Sequence, residues 1–164
     1  MKGIRVLFVA SWVILLALSA MLIFFSVNSL GVAYFGAADN LIAITEGEQM
    51  RVVGLEKIKE IAGDEGVKAF KARRATASTW AFGCAVLCAF IAFFPYRRGE
   101  KWAWWALLVA LGLSQLLSLG RFVTLGTTSG AGASGIILAF ALLGLIAGIP
   151  HIFGKRFVAG EEVE

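Results

Sequence analysis

Four long apolar runs alternate with polar stretches along the chain. The first carries no charge from Val6 through Ala38, with Lys2 and Arg5 in front of it. The second follows Lys71, Arg73 and Arg74 and stops at Pro95-Tyr96. The third opens on Trp102-Ala103-Trp104-Trp105 and is closed by Arg121. The fourth ends at Pro150-His151, ahead of Lys155 and Arg156. A hydrocarbon core of about 30 Å takes about 20 helical residues to cross. A spanning segment must also satisfy its own backbone, and a helix does so. The pattern therefore predicts an all-α membrane protein, a four-transmembrane-helix bundle with spans at about residues 4–30, 75–95, 102–120 and 133–152. Residues 1–164 read as a single transmembrane domain.

The start of the chain has the basic and apolar regions of a secretory signal. Its apolar region exceeds the usual length of about 7–15 residues, so it reads as an uncleaved first helix. Residues 31–74 form the long connection between the first two spans. Its stretch from Asp39 to Arg74 balances seven acidic against seven basic residues. That balance predicts a folded or surface-lying segment. From Gly54 the period is helical: Leu55, Ile58, Ile61 and Ala62 share one face, and Glu56, Lys57, Lys59 and Glu60 the other. Gly63 fits a helix end and Asp64 a new N-cap, from which a helix runs on into the second span. Residues 41–53 read as helix, with Thr45-Glu46-Gly47-Glu48 matching a capping box. A short hairpin across residues 46–49 is the alternative there. The link Arg97-Arg98-Gly99-Glu100-Lys101 is short enough to make the second and third spans an antiparallel hairpin. Residues 122–132, rich in Thr, Ser and Gly, read as a turn or a partly re-entrant segment, and 153–164 as a tail.

Basic residues near the span ends set orientation. Lys2 and Arg5 precede the first span, and Lys155 and Arg156 follow the last. Both termini are thus expected in the cytoplasm, the 31–74 connection outside it, and the protein in the cytoplasmic (inner) membrane.

Composition agrees with this picture: 59% of residues are hydrophobic and 16% charged, against about 25% charged in a soluble domain. The net charge of +4 lies at the ends of apolar runs, not in a basic patch interleaved with aromatics. Nucleic acid is therefore not an expected partner. Cys84 and Cys88 lie one turn apart within the second span. That spacing is poor for a disulfide, and no His or carboxylate accompanies them as a metal ligand. They read as small packing residues. No catalytic set, phosphate loop or calcium loop is present. No metal, cofactor or catalytic residue is assigned.

Arg121 is the residue with the most chemistry to offer. An arginine within a bilayer costs several kcal/mol and marks function; one at a span end snorkels to the headgroups. Gln115 and Ser118 precede it at three-residue spacing, along one side of the helix. Asn28, Ser26, Thr76, Ser78, Thr79 and Thr124 are expected at similar depth. Arg121, Gln115, Ser118 and Asn28 form a candidate polar pocket for an anionic headgroup. His151 is the single histidine and reads as an interfacial polar residue.

Small-residue faces point to assembly. Gly144 and Gly148 form a GxxxG pair, and Ala81, Ala85 and Ala89 recur every four residues. In lipid, close backbone approach and dispersion hold helices together, so such faces mark helix contacts within the chain or with a partner. Trp102, Trp104 and Trp105 cannot share one helix face, which suits a belt at the membrane surface or contact with a neighbouring protein. The expected function is a non-catalytic integral membrane protein, an accessory or structural subunit that packs against other membrane subunits or itself. The alternative is a small lipid- or hydrophobic-ligand-binding protein or carrier built on Arg121. A third reading is a membrane enzyme using His151 or Arg121 on a lipid substrate.

Overall fold

The computed structural model describes residues 2–35, 55–125 and 131–154, with side chains described throughout except at 2, 55–59, 121–123, 125 and 131. Every regular element among them is helical. Helix α1 covers Lys2–Phe35 and α2 covers Leu55–Ile91. A π-helical segment, Ala92–Tyr96, leads to the link. The third crossing is made of α3 (Lys101–Leu107), a π-helical segment (Leu108–Leu113) and α4 (Ser114–Leu125). Helix α5 covers Ala131–Phe153. Four stretches are long and apolar enough to cross a membrane: Gly3–Phe35, Glu60–Tyr96, Lys101–Gly120 and Gly132–Phe153. This is a multi-pass membrane protein with the helical architecture that the hydropathy pattern predicts.

Several boundaries differ from expectation. Helix α1 continues to Phe35, because Gly31-Val32-Ala33-Tyr34 carries neither proline nor charge to stop it. The third span ends at Gly120, before Arg121, as expected, but its helix runs past Arg121 to Leu125. Helix α2 includes the stretch from Asp64 into the second span, as the periodicity requires. Gly63 interrupts it with φ 65° and ψ −169°, a positive φ that glycine adopts without the penalty of a Cβ. The helix or hairpin expected at 41–53 lies outside the described residues.

The first π-helical segment has a local cause. Pro95 has no N–H, and its ring displaces the carbonyl of the preceding turn, which widening the turn accommodates. In the third span Ser114 Oγ donates to the Ala110 carbonyl at 2.5 Å, so its hydroxyl is satisfied within its own helix. The link then reverses the chain tightly. Gly99 N–H donates to the Tyr96 carbonyl at 2.8 Å and Glu100 N–H to the Pro95 carbonyl at 3.1 Å. Gly99 carries φ 77°, which a side chain would strain.

Helix α1 is the centre of the bundle. It packs along α2 on one side and α5 on the other, and α4 packs on α5. Its buried face is Phe8, Ser11, Leu15, Leu18, Ser19, Ser26, Val32 and Ala33. The steps of three and four residues make one helical stripe. Three of these eight residues are serine, because lipid offers a hydroxyl no partner while a neighbouring helix or the preceding turn does. Leu15, Leu18, Ile91, Leu107, Leu111, Ala141 and Leu145 fill the core around it.

Candidate functional site

The polar side chains of the spans gather in two places. The first lies near the link. Ser11 Oγ donates to the Gly144 carbonyl at 2.6 Å and is 2.5 Å from the Tyr96 hydroxyl. Serine has one hydroxyl proton. Since Gly144 receives it, Tyr96 donates to Ser11. Tyr96 is fully buried. Gly148 explains how it fits: a Cβ there would collide with the Tyr96 hydroxyl and crowd Ser11 Oγ. Gly144 similarly admits Leu15, whose Cγ would lie 3.0 Å from an added Cβ. The GxxxG pair is thus seated against α1 and Tyr96 of its own chain. Trp104 Nε1 donates to the Leu145 carbonyl at 2.9 Å, and the third span joins the same network.

Rings and cations surround this network. His151 stacks on Phe8 with centroids 3.9 Å apart. Phe8 also faces Tyr96, centroids 5.8 Å apart. The Arg97 guanidinium lies over the Trp12 ring at 5.3 Å and the Phe93 ring at 5.7 Å. Lys101 Nζ lies 5.8 Å from the Phe153 ring. Glu100 accepts from Trp102 Nε1 at 2.5 Å.

The second gathering lies at the other end of α1. Arg74 is 8% exposed. Its Nε donates to Ser29 Oγ at 3.1 Å, and Ser78 Oγ donates to the same oxygen at 2.7 Å. At about 1.5 Å per residue, α1 rises about 27 Å between Ser11 and Ser29, close to the thickness of a hydrocarbon core. The two polar clusters therefore bracket the apolar crossing, and Arg74 sits where an arginine is tolerated, at an interface.

The residues chosen from sequence are distributed as follows. Ser118 Oγ pairs with Ser134 Oγ at 2.9 Å, joining α4 to α5. Gln115 is half-buried on α4. Asn28 Nδ2 donates to the Phe24 carbonyl of its own helix at 2.8 Å. Thr76, Thr79 and Thr124 also bond the carbonyl four residues back. These hydroxyls are satisfied within one helix, as a lipid environment demands. Asn28 belongs to the α1–α2 side, where Ser29 meets Arg74, and Ser118 to the α4–α5 side. The Arg121 side chain is outside the described residues. Ala85 is buried, Ala89 half-buried and Ala81 exposed. Cys88 is buried and Cys84 exposed, both as free thiols. Trp104 is half-buried, while Trp102 and Trp105 are 55% and 56% exposed. No cluster of three or more metal-ligating side chains occurs among the described residues.

Tyr96, Ser11 and Ser134 are the residues that sequence reasoning passed over. Their signal was available: Ser11 and Ser19 are hydroxyls inside a charge-free run, and a polar residue in lipid turns toward protein. Comparison with protein-family models, curated proteins and solved structures yields no match.

Proposed function

We propose that this chain is a non-catalytic accessory subunit of the cytoplasmic membrane, with both termini in the cytoplasm, that packs against other membrane proteins. One observation carries the proposal. The hydroxyls buried between its helices bond to other helices or to their own backbone, while large aromatic side chains remain on the outside. Tyr96, Ser11 and the Gly144 carbonyl satisfy one another, and Ser118 engages Ser134. Trp80, Trp102 and Trp105 are 74%, 55% and 56% exposed. No more than 33% of any span is buried within the chain. An outer surface of that extent is available to neighbours as well as lipid. Extraction of native membranes in mild detergent tests the proposal. The expected particle contains more protein than one 17.5 kDa chain; a monodisperse single chain contradicts it.

A lipid- or hydrophobic-ligand carrier is the second reading. It draws on the hydroxyl pair Ser118–Ser134, one turn from Arg121, together with the half-buried Gln115. Arg121→Gln should then abolish co-purifying lipid, and unchanged lipid content removes this reading.

A further inference from the structure

We infer that the rim of the bundle around the link is a docking surface for anionic phospholipid, with Arg97 and Lys101 as its phosphate-binding cations. The inference needs only that the chain crosses a membrane, and it stands apart from the accessory-subunit proposal. The contacts described above bring the start of α1, the link and the end of α5 to one end of the bundle. Among the described residues, four cationic side chains are exposed there: Arg5, Arg97, Arg98 and Lys101. The link carries a single carboxylate, Glu100, and it accepts from the Trp102 indole. Arg97 lies over Trp12 and Phe93, and Lys101 over Phe153. An aromatic face attracts a cation through its quadrupole and leaves the formal charge in place. These contacts therefore hold both cations at the height of the aromatic belt, which is the height of the headgroups, and among the described residues neither forms an ion pair.

The chemistry of the occupant follows. A guanidinium presents a planar fork that matches two phosphate oxygens, and an ammonium supplies a point charge beside it. Trp102 and Trp105 flank the surface with exposed rings. Phe93 and Phe94, exposed on the membrane side of the link, offer apolar surface to the acyl chains below the same headgroup. A zwitterionic lipid presents the phosphate together with its own cation, which the four basic groups repel. An anionic lipid lacks that cation and is preferred.

The test uses the full chain in detergent, with native mass spectrometry counting retained lipids from an equimolar mixture of phosphatidylglycerol and phosphatidylcholine. The wild type should retain phosphatidylglycerol preferentially. Each cation near a charged leaflet is worth about fivefold in association. The double exchange Arg97→Gln and Lys101→Gln should therefore reduce the preference at least tenfold, on the order of that factor for each cation. Arg98→Gln, a cation without a ring beneath it, should reduce it less. The charge-conserving pair Arg97→Lys and Lys101→Arg keeps the fold testable and should retain most of the preference. Far-UV helicity is recorded for every variant. Equal retention of the two lipids by the wild type overturns the inference, whatever the variants do. So does a preference that survives the double exchange in a folded protein.

Discussion

The two ends of the bundle hold their helices together differently. Near the link, polar contacts join all four crossings: Tyr96 to Ser11, Ser11 to Gly144, and Trp104 to Leu145. At the opposite end they join helices in separate pairs. Ser29 receives Arg74 and Ser78 between α1 and α2, and Ser118 meets Ser134 between α4 and α5. Near the link the glycines of α5 also admit the side chains of Leu15 and Tyr96, so hydrogen bonding and dispersion act at the same place. At the far end the polar pairs stand nearer water, which can replace a lost partner. The arrangement of the fold is therefore set mainly at the link end.

This difference predicts a graded response to mutation. The largest effect belongs to Gly148→Val. Its side chain meets the Tyr96 hydroxyl and Ser11, and overpacking of that kind costs about 1–3 kcal/mol. Unfolding of the detergent-solubilised protein should show it as a clear loss of thermal midpoint. Gly83→Ala is the control, since nothing lies within 4 Å of its added Cβ. Equal destabilisation by the two would break the comparison.

Next comes Ser11→Ala against Ser29→Ala. Each removes a serine that makes two hydrogen bonds, but Ser11→Ala orphans the fully buried Tyr96 hydroxyl, whereas Ser29→Ala takes the acceptor from Arg74 Nε and Ser78 Oγ at part-buried bonds that water can replace. Ser11→Ala should cost about 1–2 kcal/mol and Ser29→Ala about half as much. Equilibrium unfolding measures both. A larger loss at Ser29 would place the organising contacts at the far end.

The smallest effect is expected at Ser118→Ala. One hydrogen bond between helices in lipid averages about 0.6 kcal/mol. The same unfolding measurement should find a change of that order. A loss as large as that of Gly148→Val would show α4 to be as firmly set as the link.

Much of the architecture was legible in the residues. Uninterrupted apolar runs fixed four crossings, because nothing else of that length is stable in lipid. Asp64 to Phe94 read correctly as one helix entering the second span. The pairing of side chains was not legible in the same way. The Gly144–Gly148 spacing identifies a surface for close approach, but not whether α1, another span or another chain approaches it. In the sequence Tyr96 stands only at the end of the second span, beside Pro95. The widened turn at Pro95 instead leads into a tyrosine buried against Ser11, a three-dimensional result that hydropathy does not contain. Arg121 does mark the end of the third apolar span, Lys101–Gly120; what its charge does not reveal is that the helical backbone runs on to Leu125. The candidate pocket joined Asn28 to Ser118 by depth alone. Depth does not specify azimuth around a bundle: Asn28 bonds within its own helix, while Ser118 bonds across to Ser134.

The functional claim rests on the outward-facing aromatic side chains meeting protein as well as lipid. A photo-crosslinking amino acid in place of Trp102 or Trp105, activated in native membranes, tests this most directly, with the fully buried Leu15 as the interior control. Adducts heavier than the single chain at either tryptophan position, and none at Leu15, are the predicted result. Crosslinks to lipid alone at both tryptophan positions would contradict an accessory subunit.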